Sequence, residues 1–512
     1  MDLKNIVSLN PVNNLWIKIL IVLTLSFSLV IFVFKLHLIG EVDQDTSLED
    51  FTAYLDERIP FLMEKYDIPG VNVALVKNAA IPWSKAYGYA HLETGRKMTV
   101  NTCCRVESIS KSVTAWGVMK LVEQGRIGLD DPVEQHLGGW TFPKSKYAKE
   151  KVTIRQLLSH NAGLPLGTVG VRYSPKKAVP GLEESLSKEV RLIREPGTAF
   201  SYSNTGFNLL ELLIEKVTGR DFAEYMKAEV LLPLGMRDSI FTWSAELIPA
   251  VPFGYDLKAN PIPVYIYPEK ASGGLFATVE DIATFITAGM SDFSDTARLT
   301  LTSDSINQLY TPMIEKPGFY SLAFDSYGLG HFIETFPNGI RGVSHGGQGS
   351  GWMTHFHSVP ETGDGIVIIA NSQRSWPFFA YLLRDWAKWN GFSSIGMGKI
   401  IWGEKIVGAL IGLILFVVSW QGYRLGQGLI SGKRRFGPLA KQSRRLRLIQ
   451  SGLSVILLSV LWWCVNQEYL FITSVFPTIS GKLGLSILLL ALVLSLSALF
   501  PLYFKPLLSK LN

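Results

Sequence analysis

Cysteine is scarce in this chain of 512 residues, which contains only Cys103, Cys104 and Cys464. Cysteines that are adjacent in sequence seldom bond to each other, and Cys464 lies in an apolar segment near the C-terminus. A disulfide framework is therefore excluded, and the spacing also excludes a zinc site built on paired cysteines. Burial in the protein interior is the expected role of Cys103 and Cys104.

Charged residues are absent from three apolar runs near the C-terminus, at 406–420, 448–465 and 483–504. Ionisable residues inside a membrane usually mark a transport path or a proton relay, so their absence argues against a transporter. A fourth apolar run, at 15–39, is long enough to cross a bilayer and lacks a clear small-residue cleavage site. These runs predict an uncleaved signal-anchor within residues 1–40 and three membrane spans within residues 403–512.

Positive charge is concentrated between the first two C-terminal runs. Residues 421–450 contain eight Lys or Arg and no Asp or Glu, whereas the net charge of the whole chain is +6. Such a cluster is compatible with binding to nucleic acid or lipid, but a cytoplasmic loop between two spans is the simpler interpretation. The chain is thus predicted to be a multi-pass protein of the cell membrane, with residues 41–400 outside the cytoplasm. Membrane lipids are expected partners, and nucleic acid is not.

The body of the chain, at 44–391, has no internal repeat or low-complexity linker and alternates strand-like with helix-like segments. Strand patterns at its two ends enclose a mainly helical middle part. This order predicts an α+β fold, in which a mixed sheet is built from the N- and C-terminal parts and a helical region is inserted. The strand patterns lie at 71–75, 81–90, 343–356 and 365–370, and the helix patterns at 108–124, 154–160, 207–217, 279–289 and 377–389.

The segment Ser108-Ile109-Ser110-Lys111 opens one of these helix patterns. Its spacing places Ser108 and Lys111 on one helical face, and a helix N-terminus favours an anion formed there. A serine hydroxyl is a weak nucleophile until a neighbouring base takes its proton, which Lys111 is placed to do. The pattern alone is not specific, because Ser-x-x-Lys also starts at Ser174 and Ser185, in segments that we expect on the solvated surface. For Ser108 the structural alternative is an ordinary helix cap.

A second segment, Tyr202-Ser203-Asn204, provides groups that an activated serine needs. It is the only Tyr-x-Asn in the chain and is expected in a polar loop just before a helix. A tyrosine has a pKa near 10, and a neighbouring cation such as Lys111 would stabilise its phenolate and make it a base. Asn204 would orient a substrate carbonyl or bridge to Lys111. The alternative for Tyr202 is simple packing within a loop.

The third segment is the glycine-rich stretch 343–351. Glycines such as Gly346 and Gly347 on a strand allow a substrate or another backbone to approach closely. A backbone N–H there, facing the N–H of Ser108, would complete an oxyanion hole. His345 would guide a substrate carboxylate or relay a proton. A glycine-rich turn between strands is the structural alternative.

Taken in this order, the three segments resemble the superfamily of serine β-lactamases and penicillin-binding proteins, above all the class C β-lactamase-like serine hydrolases. The resemblance covers about residues 48–390 and implies a β-lactamase/transpeptidase-like fold, with an antiparallel sheet flanked by helices and a helical region. The stretches that carry it are 106–111, 127–133, 157–165, 200–206 and 272–278.

The resemblance implies a role for each residue of the site. Ser108 would be the acylated nucleophile, Lys111 would assist its deprotonation, and Tyr202 would act as general base and activate water for deacylation. Asn204 would help to hold the substrate amide. No metal and no other cofactor is expected.

The glycine-rich segment also has implied roles. The N–H groups of Ser108 and Gln348 would stabilise the oxyanion, beside the substrate-binding residues Gly346 and Gly347. His345 stands where many relatives have the lysine of a Lys-Thr-Gly motif. Because histidine is only partly charged near neutral pH, this difference weakens the case for recognition of a β-lactam carboxylate.

The sequence as a whole predicts a membrane-anchored serine hydrolase that acts through an acyl-enzyme. Its expected substrates are small molecules or peptides, namely peptides, amides or esters that contain D-amino acids, such as cell-wall stem peptides. The alternatives are a β-lactamase, and a sensor that a cell-wall fragment acylates without efficient turnover. No pattern in the sequence indicates a protein partner.

Overall fold

The computed structural model divides into two units, one ending at Ile401 and the other beginning at Trp402. The proposed signal-anchor at 1–40 lies outside the described part of the chain. The residues that the structure describes are 42–167, 171–245, 247, 250–290, 300–438, 443–467 and 470–503.

A nine-stranded sheet occupies the centre of the first unit, in the order β3-β2-β1-β13-β12-β11-β10-β9-β8. Two two-stranded ladders, β4 with β7 and β5 with β6, accompany it. The strands are β1 (Gly70–Lys77), β2 (Ala80–His91), β3 (Arg96–Lys97), β4 (Cys104–Arg105), β5 (Gly254–Tyr255), β6 (Pro261–Ile262), β7 (Phe276–Ala277), β8 (Ile314–Glu315), β9 (Ser326–Tyr327), β10 (Phe332–Thr335), β11 (Arg341–Gly349), β12 (Trp352–Val359) and β13 (Asp364–Ala370).

The central sheet joins the two ends of the unit, as predicted. Strand β1 pairs with β13 along its length, with Val71 opposite Ala370. The expectation of a mixed sheet is wrong, because every recorded pair in this sheet is antiparallel. The reason is local: tight turns join β1 to β2 and β12 to β13, and a short connection between adjacent strands makes them antiparallel.

Helices cover both faces of the sheet and continue beyond it into the second unit. A π-helical turn at Lys227–Leu231 and 3₁₀ turns at Val133–His136, Lys149–Lys151, Gly318–Leu322 and Gly396–Gly398 complete the helical structure. The α-helices are α1 (Leu48–Tyr66), α2 (Ile109–Glu123), α3 (Ile154–Leu158), α4 (Leu182–Glu189), α5 (Asn204–Thr218), α6 (Phe222–Met226), α7 (Leu232–Leu234), α8 (Val279–Ala288), α9 (Ser303–Leu309), α10 (Trp376–Trp389), α11 (Lys399–Ile430), α12 (Arg444–Val465), α13 (Phe471–Val475) and α14 (Ser480–Leu499).

The sheet separates two hydrophobic layers, and β1 contributes to both. Because successive side chains of a strand point to opposite faces, Val73 and Leu75 pack with α1 and α10, whereas Ala74 and Val76 pack with the inserted helical region. This explains why β1 reads as a continuous apolar run rather than as a clean alternation. Helix α2, which follows the proposed nucleophile, belongs to the same layer as Ala74 and Val76 and packs against the sheet.

Helices α1 and α10 close the other face and tie the start of the unit to its end. The carboxylate of Asp385 accepts hydrogen bonds from Arg58 at 3.0 Å and from Tyr54 at 2.9 Å. Trp389 donates its indole N–H to the carbonyl of Thr46 at 2.8 Å. The chain therefore enters and leaves this layer at neighbouring points.

Local sequence signals account for several of these boundaries. Thr153 and Gln156 form a complete capping box at the start of α3, and Thr278 accepts the N–H of Asp281 at the start of α8. Cys103 and Cys104 are buried, as expected, and burial raises the pKa of the Cys103 thiol to about 12. Both thiols are thus kept protonated and unreactive.

Among the residues that the structure describes, three helices are long and apolar enough to cross a membrane: α11 together with the turn from Gly396 that precedes it, α12 and α14. Their bounds differ from the apolar runs, since α11 continues to Ile430 and α12 already begins at Arg444. The connection between them is therefore shorter than the loop expected at 421–450. Arg and Leu at 444–447 favour a helix, and they extend α12 at its start without changing the length that can be buried in lipid.

Part of the basic cluster caps the last of these helices. Arg447 donates to the carbonyl of Ala498 at 2.7 Å, and Arg434 donates to the carbonyl of Phe500 at 2.8 Å. These carbonyls lie at the C-terminal end of α14, where a helix leaves its last acceptors unpaired and favours positive charge. Two of the eight cations of the cluster thus form hydrogen bonds within the second unit and stabilise the end of α14.

Candidate active site

Ser108 lies directly before α2, but its hydroxyl does not cap that helix. Instead it accepts a hydrogen bond from the Nζ of Lys111 at 3.0 Å. The alternative of an ordinary helix cap is therefore wrong for Ser108. At the other two Ser-x-x-Lys segments no such pair forms: Ser174 is exposed, as predicted, and Ser185 is buried against Glu269, contrary to prediction.

Lys111 is fully buried and is held by two acceptors. Its Nζ donates to the Ser108 hydroxyl and, at 2.6 Å, to the carbonyl of Ser272. Burial lowers the pKa of Lys111 to about 7, and the negative charge of Glu107 opposes part of this change. A substantial fraction of Lys111 is consequently neutral at physiological pH, and a neutral amine can accept the proton of the serine.

The carbonyl of Ser272 is placed by a buried carboxylate that the sequence did not single out. Glu211, on α5, accepts the backbone N–H groups of Lys270 at 2.6 Å and Ala271 at 2.8 Å. Burial raises the pKa of Glu211 to about 7. Helix α5 thus fixes the segment that carries Ser272, and the carbonyl of Ser272 in turn holds the amine of Lys111.

Tyr202 lies beside the pair, with its side chain next to that of Ser108. The Nζ of Lys111 lies 5.0 Å from the centre of its ring. Burial raises the pKa of Tyr202 well above its usual value, and Tyr320 adds to this effect. The expected stabilisation of a phenolate is therefore wrong, because burial removes the phenolate from water and so disfavours its charge.

His160 supports the loop that carries Tyr202. Its ring lies 4.3 Å from the Tyr202 ring, and its Nδ1 accepts the backbone N–H of Ser203 at 3.1 Å. Burial, together with Lys111 and His345, keeps its pKa well below the usual range, so the ring is neutral and able to accept. The sequence placed His160 only at the end of a helix, and its contact with a loop some forty residues later leaves no local signal.

Asn204 is the first residue of α5 rather than part of the preceding loop. Ser203 caps this helix by accepting the N–H of Gly206 at 3.0 Å, and the N–H of Asn204 donates to the carbonyl of Leu166 at 2.8 Å. The prediction missed that serine is a favoured N-cap and therefore began the helix too late. Asn204 thus begins the helix two residues after Tyr202.

His345 lies on β11 and is almost fully buried, with 1% of its surface exposed. Its Nδ1–H donates to the carbonyl of Gly346 at 2.8 Å, and its Nε2 is 3.4 Å from the hydroxyl of Tyr327. Burial lowers its pKa well below the usual range, and Lys111 reinforces this. A neutral, enclosed ring cannot guide a substrate carboxylate by its charge, so that expectation is wrong.

Beyond His345, strand β11 approaches the segment before Ser108. Its pairing with β10 ends at Ser344, whereas its pairing with β12 continues to Gly349. A Cβ on Gly347 would lie 2.3 Å from the carbonyl oxygen of Val106, so only glycine permits this approach. Gln348 is exposed on the same stretch. The structure thus brings the predicted oxyanion-hole segment next to the nucleophile.

Glu107 precedes Ser108 and has an unusual backbone, with a φ of 51°. Its carboxylate is buried and accepts hydrogen bonds from Arg105 at 2.8 Å, Tyr265 at 2.8 Å and Tyr267 at 3.0 Å. Left-handed backbone is rare for a residue with a side chain and concentrates at functional sites. No pattern in the sequence pointed to this cluster, because the two tyrosines are far from Arg105 and Glu107 along the chain.

Sequence comparison relates most of the first unit to proteins already known. The profile of the family described as β-lactamase matches residues 55–387. Protein flp of Staphylococcus aureus (strain N315) is 26% identical over 335 residues, which are 63% of this chain and 63% of flp. The chain thus spans less than two thirds of that relative. Penicillin-binding protein 4* of Bacillus subtilis (strain 168) is 25% identical over 345 residues, which are 63% of this chain and 72% of that protein.

Structural comparison leads to the same group. The octameric penicillin-binding protein homologue from Pyrococcus abyssi superimposes with a TM-score of 0.53 and 28% identity. The match covers 64% of this chain and 74% of the other. These shares correspond to the first unit, so the fold predicted from the resemblance is confirmed there.

Proposed function

The chain belongs to the β-lactamase family, and we propose that it is a serine hydrolase that forms an acyl-enzyme on Ser108. One observation carries the proposal: the amine of Lys111 is 3.0 Å from the Ser108 hydroxyl, and burial lowers its pKa to about 7. A general base works best when its pKa is near the working pH, so Lys111 meets the requirement in geometry and in protonation state.

The proposed reaction begins when the neutral amine of Lys111 takes the proton of Ser108 and the serine oxygen attacks a substrate carbonyl. The N–H groups of Ser108 and Gln348 stabilise the oxyanion that forms. Tyr202, kept protonated by its raised pKa, passes a proton to the leaving group and recovers one from Lys111. Water then hydrolyses the acyl-enzyme by the reverse proton path.

The substrate class that we propose is a peptide, amide or ester of a D-amino acid. Two of the compared proteins are named for penicillin binding, and a β-lactam acylates serine in the manner of such a peptide. Asn204, next to Tyr202, would hold the substrate amide. Because His345 is neutral and enclosed, recognition of a free carboxylate depends on other groups, and efficient β-lactam hydrolysis is the second candidate rather than the first.

Covalent labelling tests the proposal directly. The full chain, in detergent, is incubated with a fluorescent penicillin and separately with a fluorophosphonate, and the labelled peptide is identified by mass spectrometry. We expect an adduct on Ser108 with at least one probe and turnover of a D-alanyl ester. A penicillin adduct that persists without turnover would indicate a sensor, and failure of both probes to label would refute the hydrolase.

We also propose that α11, α12 and α14 anchor the enzyme in the cell membrane, with the first unit outside the cytoplasm. The three helices have the required length and apolar character, and the basic connection after α11 favours the cytoplasmic side. Protease added to intact cells is expected to digest residues 42–401 and to spare Lys433 and Arg435. Cleavage at the basic connection in intact cells would reverse the orientation.

A further inference from the structure

Resting on the proposed function, we propose that Glu107 is a positioning residue of the hydrolase. Its buried carboxylate, fixed by Arg105 and two tyrosines, holds the backbone turn that presents Ser108 and places a fixed negative charge beside Lys111.

The turn at Glu107 directly opens the nucleophile helix. The carbonyl of Glu107 accepts both the N–H of Ser110, at 2.9 Å, and its hydroxyl, at 2.6 Å. Glycine would adopt the φ of 51° without strain, whereas glutamate adopts it at a cost in free energy that other interactions must offset. Interactions of the Glu107 side chain are therefore expected to offset the free energy that this backbone conformation costs.

The carboxylate is held by groups that also frame the amine of Lys111. Arg105 donates one guanidinium N–H to Glu107 at 2.8 Å and another to the carbonyl of Gly273 at 3.0 Å. Gly273 follows Ser272, whose carbonyl binds Lys111. The ion pair thus links the segment before the nucleophile to the segment that holds the base, and both of its side chains are almost fully buried.

The glycine-rich strand leaves space for this carboxylate. A Cβ on Gly349 would lie 2.3 Å from the carboxyl carbon of Glu107, and one on Gly347 would lie 2.9 Å from its Cβ. A side chain at either position would therefore collide with Glu107. The carboxylate is enclosed between β11 on one side and the hydroxyl groups of Tyr265 and Tyr267 on the other.

The charge of Glu107 acts on the base. Burial lowers the pKa of Lys111, and the carboxylate of Glu107 opposes this effect. A charge that is held by an ion pair and two hydroxyl groups cannot move away, so its influence on Lys111 is constant. Glu107 thereby raises the pH at which Lys111 becomes a base.

The test compares acylation of the full chain and its variants by the fluorophosphonate across pH, with each rate normalised to the fraction of sites that finally label. The maximal acylation rate falls at low pH because Lys111 becomes protonated. In Glu107→Gln we expect this fall to occur at a lower pH than in the parent, because the charge that raises the pKa of Lys111 is gone. At its plateau the rate falls about 10- to 100-fold, because the serine is misplaced, while the half-saturating probe concentration is unchanged. A purely structural role would lower the labelled fraction and leave the normalised profile in place.

Glu107→Gln leaves Arg105 without its partner, so a milder variant accompanies it. Tyr267→Phe removes one hydrogen bond to the carboxylate and is expected to lower the normalised rate about threefold or more. Tyr225→Phe is the matched control. This buried tyrosine donates to the carbonyl of Gly117, which lies on α2 farther from Ser108, so the variant should retain the parental rate.

The outcomes separate this inference from the proposed function. If the parent chain labels and both the Glu107 and Tyr267 variants keep its rate and pH profile, the role of Glu107 is refuted and the hydrolase remains. If neither the fluorescent penicillin nor the fluorophosphonate labels the parent, the proposed function is refuted instead. Should Glu107→Gln fail to fold, a normal rate in Tyr267→Phe alone overturns the inference.

Discussion

Replacing Ser108 with alanine is expected to abolish covalent labelling and to lower ester turnover by about a thousandfold or more. The variant removes the hydroxyl that Lys111 is placed to activate, and removal of a catalytic serine has effects of this size or larger. Because Ser108 does not cap α2, the loss should leave the stability of the helix nearly unchanged. Labelling is measured by gel fluorescence, and folding by thermal unfolding of the same samples.

The chain contains a matched control for this experiment. Ser174→Ala changes the first residue of another Ser-x-x-Lys segment, which is exposed and far from the cluster around Lys111 in sequence. This variant should label and turn over like the parent. Residual labelling of Ser108→Ala at the parental level would place the nucleophile elsewhere and end the proposal.

Replacing Lys111 with methionine should lower the rate of acylation about 10²- to 10⁴-fold, the usual contribution of a general base. Methionine fills most of the buried volume but accepts no proton. In the parent, the rate should rise with pH up to about 7 and then level off, because burial lowers the pKa of Lys111 to about 7 and only the neutral amine is a base. Below that pH the rate should fall about tenfold per unit.

Two further variants distinguish the base from its surroundings. Lys120→Met alters a lysine near the end of the same helix that also donates to a backbone carbonyl, that of Thr300, and should retain the parental rate. Tyr202→Phe should slow acylation while leaving the acid limb near pH 7, since the tyrosine is protonated throughout this range. Disappearance of that limb in Tyr202→Phe, and its persistence in Lys111→Met, would assign the base to Tyr202.

Much of this site was predictable because its parts are short and local. The spacing of Ser108 and Lys111 depends only on helix geometry, and the hairpins around β12 follow from alternating apolar residues and turn-forming glycine. The start of α5 was also within reach, because Ser203 is an ordinary capping residue. Its omission was an error of interpretation rather than a missing signal.

The remaining features arise from burial and from contacts between distant segments. The neutrality of His345 and the low pKa of Lys111 follow from desolvation, which a sequence does not record. The contact of Arg105 and Glu107 with Tyr265 joins segments that only the complete fold brings together. A pattern of residue types therefore located the candidate catalytic groups, whereas their protonation states required the packed structure.

The pairing of β1 with β13 has a consequence for the biosynthesis of the protein. Val71 finds its partner only when Ala370 has been synthesised, so the centre of the sheet cannot close while the ribosome is still adding the inserted helices. Such distant contacts make folding slow and leave apolar strands exposed in the meantime. If the first unit is exported as we propose, it crosses the membrane as an open chain. Its active site then assembles only after the strand that immediately precedes α10 has emerged.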